Sequence, residues 1–165
     1  MEIRKEDERD FKQVYALNTA AFKTEEESKL VERLRRVDGY ISFVAVEGEQ
    51  VVGHISFSPV TLNDEETRFT GLAPMAVLPE RQKQGIGSRL MAAGLEACKQ
   101  AGYQAVFVLG HPDYYPSFGF KVAEDLGFSC QYPVLPTYFM VLELSDGSLD
   151  GLSGTIKYHP AFNEA

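Results

Sequence analysis

The run RQKQGIGSRL, Arg81 to Leu90, sets Gly85 and Gly87 one residue apart among three cations, Arg81, Lys83 and Arg89. An apolar segment ending in Met75-Ala76-Val77 precedes it, and an amphipathic pattern follows. A glycine-rich turn that opens a helix aims unpaired backbone N–H groups at one point, and the positive end of the helix dipole reinforces them. Cations at a helix start oppose that dipole, so something negative is the natural occupant, and phosphate is the natural anion. Two common phosphate loops are excluded. A Walker A loop needs GxxxxGK followed by Ser or Thr, which this chain lacks. A dinucleotide fingerprint needs a third glycine where Leu90 stands, and an acidic residue closing the next strand, which ends in Leu109-Gly110. An ordinary strand-to-helix turn with solvated cations accommodates the same residues.

The elements that must position this loop follow from apolar spacing. MEIRK reads as a strand. From Asp7 a helix carries Phe11, Val14, Tyr15, Leu17 and Phe22 on one face, and Thr24 with Glu27 forms a capping box that opens a second helix bearing Leu30, Val31 and Leu34. YISFVAV, QVVGHISFSPV and RFTGLAPMAV, separated by EGEQ and NDEE, read as three strands of an antiparallel meander. A helix starts at the glycine loop, with Ile86, Leu90, Ala93, Ala97 and Ala101 in its stripe and Gly102 as its stop. YQAVFVLG is a buried strand, HPDYYPSF a turn into a short helix, and GFKVAE and YFMVLEL two further strands. The tail from Asp146 is polar, although Thr155 to Phe162 carries enough apolar residues to pack. The result is an α/β chain of the mixed α+β kind, with a mixed, mostly antiparallel sheet and one strand–helix–strand crossover that carries the glycine loop.

The totals bound the function. With 165 residues and 44% of them hydrophobic, the chain fits one domain, residues 1–165, with a real core. The net charge of −8 argues against a nucleic acid or an anionic membrane as partner, since both demand a basic footprint. Cys98 and Cys130 match no CxxC or zinc spacing, so no metal is expected. The N-terminus has no apolar core of a signal peptide and no run approaches a membrane span, so a cytoplasmic location is expected.

The spacing Gln82-x-x-Gly85-x-Gly87 between a strand and an amphipathic helix resembles the pyrophosphate loop of the GNAT N-acetyltransferases. The family's Tyr-x-x-x-Gly-Phe motif is matched by Tyr115 to Phe120, and the element order matches over roughly residues 1 to 145. Phrases such as LVERLR, GLAPMAV, LGHPDYYPSFGF and KYHPAFN resemble the YhbS-type branch of predicted bacterial acetyltransferases. The resemblance implies a GNAT fold whose sheet splays between its fourth and fifth strands, with helices on both faces. It implies that acetyl-CoA is bound by Met75, Ala76 and Val77 and by Gln82, Lys83, Gln84, Gly85, Ile86, Gly87, Ser88 and Arg89. Pro74, which cannot donate to a ladder, suits a strand with one open edge; a simple bulge explains it equally well.

The implied reaction is transfer of an acetyl group from acetyl-CoA to a primary amine of a small molecule or peptide. Backbone N–H groups of Met75 to Val77 would serve the acetyl carbonyl and the pantetheine arm. Tyr115 matches the position that donates a proton to the departing sulfur, and a phenol with pKa about 10 keeps its proton at neutral pH. Tyr114, adjacent to it, is expected to point elsewhere. Glu27 is the candidate base; its alternative is an exposed capping residue. His54 and His111 have suitable pKa values but read more readily as structural, and His159 is unplaced. A non-catalytic CoA-binding module of the same fold is the alternative function, and a homodimer is left open.

Overall fold

In the computed structural model, which describes residues 1–163, the sheet starts with β1 (Glu2–Lys5), β2 (Ile41–Glu47), β3 (Gln50–Leu62) and β4 (Glu65–Val77), all antiparallel neighbours. Asn63 and Asp64 both adopt positive φ at the β3–β4 turn, as a two-residue hairpin whose twist matches its strands requires. β5 (Ala105–Leu109) then pairs parallel to β4, and β8 (Phe139–Glu143) and β6 (Lys121–Val122) complete the order β1-β2-β3-β4-β5-β8-β6.

α3 (Ile86–Gln100) packs on one face, where Ile86, Leu90, Met91 and Cys98 join Val52, Ile55, Phe57 and Leu72 in a core cluster. α1 (Phe11–Phe22) covers the other face through Val14 and Leu17, which meet Val44, Val51 and Ala76. α2 (Glu26–Leu34) packs beside it, adding Val31 to this cluster. A third cluster gathers around Phe107, whose ring meets Phe69, Phe128 and Phe139 with centroids within 5.7 Å. Among the described residues no helix is long and apolar enough to cross a membrane.

Four local expectations need correction. The first α-helix begins at Phe11, because Asp7 and Asp10 cap a single 3-10 turn ahead of it. The Thr24–Glu27 capping box is half made: Thr24 Oγ1 accepts from the Glu26 N–H at 3.0 Å, but the Glu27 carboxylate takes the Thr24 hydroxyl at 3.4 Å and leaves the backbone N–H alone. GFKVAE is strand only at Lys121–Val122 before a 3-10 turn at Ala123–Leu126. Two strands escaped the reading. β7 (Phe128–Cys130) pairs in parallel with β9 (Gly154–Lys157), and β9 also pairs with the end of β3, so the polar tail is part of the sheet.

Candidate active site

The site begins where β4 and β5 part. Their pairing runs from Phe69/Ala105 to Leu72/Val108 and stops there, while β4 continues for five residues, 73–77, with no strand on that side. The strand does have an open edge here, but Pro74 itself serves the bulge against β3. Ile55 faces Met75 and Phe57 faces Leu72, so Ala73 and Pro74 together oppose Ser56 in a bulge, and the Ser56 hydroxyl donates to the Ala73 carbonyl at 2.9 Å. Beyond the bulge, Leu78 N–H donates to Val52 O. Since successive peptides alternate sides, the Ala76 N–H faces β3 and those of Met75 and Val77 face the gap.

At the end of this strand the chain turns into α3. Lys83 and Gly85 both sit in the left-handed region, at φ 63° and 85°. None of the backbone N–H groups from Gln82 through Ser88 finds an acceptor among the described residues; the next, Arg89 N–H, closes the helix onto Gly85 O at 3.2 Å. The loop is therefore a row of unspent donors beside the positive end of a 15-residue helix. These groups frame a cavity of about 340 Å³ walled by Met75, Val77, Gln82, Lys83, Ser88 and Tyr114. A Cβ on Gly87 would stand 2.8 Å from the Tyr114 hydroxyl, so the glycine is what lets the tyrosine lie over the loop.

Met75 also borders a second cavity, of about 300 Å³, on the α2 side of the gap. Tyr115 and Glu27 meet in its wall. Tyr115 is 8% exposed, its ring packed edge-on to Tyr114 and Phe120, and its hydroxyl has no partner among the described residues. Burial pushes the phenol up to about 12, so it remains protonated. Glu27, half-buried, is held by the Thr24 hydroxyl.

Residues 2–123 match the family model described as an acetyltransferase (GNAT) domain. This chain belongs to the GNAT acetyltransferase family. It is 37% identical, over 99% of both chains, to an N-acetyltransferase of Escherichia coli K12 called YhbS and described as uncharacterized. The solved E. coli YhbS structure, a complex with CoA, superposes with a TM-score of 0.93 at 37% identity, covering 99% of this chain and 92% of that one. A GNAT acetyltransferase from Brucella melitensis in complex with acetyl-CoA gives 0.82 at 35% identity, over 98% and 97% of the two chains.

Within the GNAT frame the sequence-derived residues separate. Met75 and Val77 flank the gap through backbone and side chain, whereas Ala76 buries its methyl among the α1 residues Val14 and Leu17. Gln82 donates to Val77 O at 3.2 Å and pins the loop to the strand. Gln84 turns back to Arg81 and Glu80, and Ile86 anchors α3 in the core. The three cations do not act together. Arg81 is engaged by Glu47 in a two-pronged pair, both contacts 2.7 Å, and also donates to Gln84. Arg89 is exposed and directed toward Met1 O at 3.5 Å, away from the cavity wall. Lys83 alone of the three lines the cavity without a described salt bridge.

The histidines stand outside both cavities. His54 is fully buried beside Asn18, with burial holding it near 4 and therefore neutral. His111 is exposed and accepts the Asp113 N–H, and His159 accepts the Ala161 N–H in the tail. Tyr114, Phe22 and Phe162 were missed as wall residues. For Tyr114 the available signal was Pro116, which favours a tight turn at Tyr115–Phe118 and so sends neighbouring tyrosines in different directions.

Proposed function

We propose that this GNAT acetyltransferase moves the acetyl group of acetyl-CoA to a primary amine of a small molecule or peptide, the chain acting as one domain. The observation that carries the reading is the meeting, at Met75, of an amide-lined anion cradle with an open strand edge. The cradle suits a pyrophosphate, with Lys83 adding charge. The Met75 and Val77 edge suits the amide-bearing arm of the cofactor and brings the thioester to the mouth of the second cavity. The complexes of the E. coli and Brucella relatives with CoA and acetyl-CoA support the same occupant.

The chemistry then balances as follows. The ammonium gives up one proton to solvent through water held at the Glu27 carboxylate. The free amine bonds to the acetyl carbon, with the Met75 or Val77 N–H stabilising the oxyanion. The adduct's nitrogen loses its second proton to water, the C–S bond breaks, and the electron pair goes to sulfur. A phenol at about 12 is a weaker acid than a thiol near 8.5, so full proton transfer from Tyr115 is uphill. Tyr115 therefore assists as a hydrogen-bond donor to the departing thiolate, which then takes its proton from solvent.

Titration calorimetry with acetyl-CoA is the test. Binding heat is expected for the parent chain and its loss for Gly85→Glu, which sets a carboxylate in the cradle. No heat from the parent overturns the reading. Binding without thiol release over a broad amine panel favours a CoA-binding module.

A further inference from the structure

We infer that the acceptor carries a single positive charge, its reacting ammonium, on an apolar body, and that this body fills the cavity between α2 and the splayed end of β4. The inference rests on the transferase reading above and names its second substrate by chemistry. The net charge of −8 invites a polycation, but the charge does not converge here. Among the described residues Glu27 is the one charged side chain in a wall otherwise made by groups such as Phe22, Leu30, Leu72, Leu109 and Phe162.

Neighbouring charges are directed elsewhere. Glu25 accepts the Tyr15 hydroxyl at 2.6 Å on the α1 side of its helix, and Glu26 is exposed. Arg33, further along α2, donates to Ala161 O at 3.0 Å and lies in the wall of a separate groove. Among the described residues a second ammonium would therefore find no carboxylate to meet it, and the hydroxyls of a sugar would lose water to largely apolar walls. One cation at Glu27 is matched. The wall also contains apolar surface that the protein itself leaves uncovered: Phe22 is 38% exposed at the mouth. A cavity of about 300 Å³ stands at the small end of ligand sites, fitting a compact amine or one N-terminal residue.

The test is kcat/KM at saturating acetyl-CoA for ethylamine, 3-methylbutylamine, 2-phenylethylamine, ethanolamine, spermidine and an aminoglycoside, with acetyl-CoA binding followed calorimetrically in parallel. The inference expects a rise of roughly fourfold per added CH2 up to 3-methylbutylamine, and spermidine and the aminoglycoside well below the apolar amines. Leu30→Glu, which adds a second carboxylate one turn from Glu27, should raise the spermidine-to-3-methylbutylamine ratio of kcat/KM about tenfold. That ratio is independent of how much of the variant folds. Spermidine or the aminoglycoside ranking first, or a flat response to chain length, overturns the inference. So does cofactor binding with no apolar amine accepted. Absence of acetyl-CoA binding instead removes the transferase reading on which it rests.

Discussion

Tyr114 and Tyr115 meet edge to face, ring centroids 5.0 Å apart and planes at 85°, yet they line different cavities. Tyr114 lies over the glycine loop beside Ser88, and Tyr115 stands in the gap between the strands. Under the proposed function the pair divides the site into a half that would face phosphate and a half that would face the reacting atoms. Its two members should fail differently when altered.

Tyr115→Phe keeps the ring and removes one donor to the leaving sulfur. A hydrogen bond to a charged group contributes about 1.5–3 kcal/mol, so kcat should fall about 10- to 100-fold. Acetyl-CoA affinity should hardly change, because sulfur gains charge only in the transition state. Steady-state kinetics at saturating acetyl-CoA checks this; a kcat within twofold of the parent makes Tyr115 a packing residue.

Gly87→Ala forces its new methyl against the Tyr114 hydroxyl, 2.8 Å away, so the tyrosine must move off the loop. The KM for acetyl-CoA should rise several-fold. Adding Tyr114→Phe removes the clashing oxygen, and the double variant should bind better than the sum of the single effects predicts, the mark of a direct contact in a double-mutant cycle. Strict additivity of the two binding changes would show that the contact does not matter.

Cofactor affinity should depend on Lys83 more than on the arginines around it. Lys83→Ala is expected to weaken acetyl-CoA binding about two- to fivefold, with the loss shrinking as salt is raised. Arg89→Ala should be nearly silent, since that side chain leans toward Met1. Arg81→Ala should lower the melting temperature slightly, because it deletes the surface pair with Glu47 and the bond to Gln84. Calorimetric titrations at low and high salt rank the three; an Arg89 effect larger than that of Lys83 contradicts the placement.

Acid should loosen the fold before it protonates the carboxylates. His54 drops from an ordinary 6.5 to about 4 because burial disfavours its charged form. Between those values the unfolded chain binds the proton that the folded chain refuses, so stability is intact above 6.5 and falls as pH falls toward 4. The loss is roughly 2 kcal/mol between pH 6.5 and 5. Asp10 acts lower: its carboxylate is held below its usual 3.8 by Arg4, so its contribution is lost only under stronger acid. Urea midpoints at pH 7 and 5 for the parent and His54→Gln test this, and an equal pH dependence in both would remove His54 as the cause.

Local chemistry made much of this legible in the chain. The glycine pair, the helix stripe from Ile86 to Ala97 and the apolar meander depend on backbone freedom and on periods of 3.6 and 2, which a linear reading contains. The motif around Tyr115 is short and contiguous, so the residue could be singled out before its place in the cavity wall was known. The row of free backbone donors in the loop was visible for the same reason: a helix start makes its own donors.

What eluded the linear reading depends on partners far apart in sequence. β9 is a strand because β3 and β7 offer it ladder positions, and nothing in GTIK alone supplies them. Arg81 is spent because Glu47, 34 residues away, stands across from it. Phe162 reaches the acceptor cavity only because the tail returns past α2. A count of charges could not say that, among the described residues, Glu27 alone of the carboxylates would converge on that cavity. Charge and apolarity are properties of residues, but the field and the wetting of a cavity depend on which residues folding brings together.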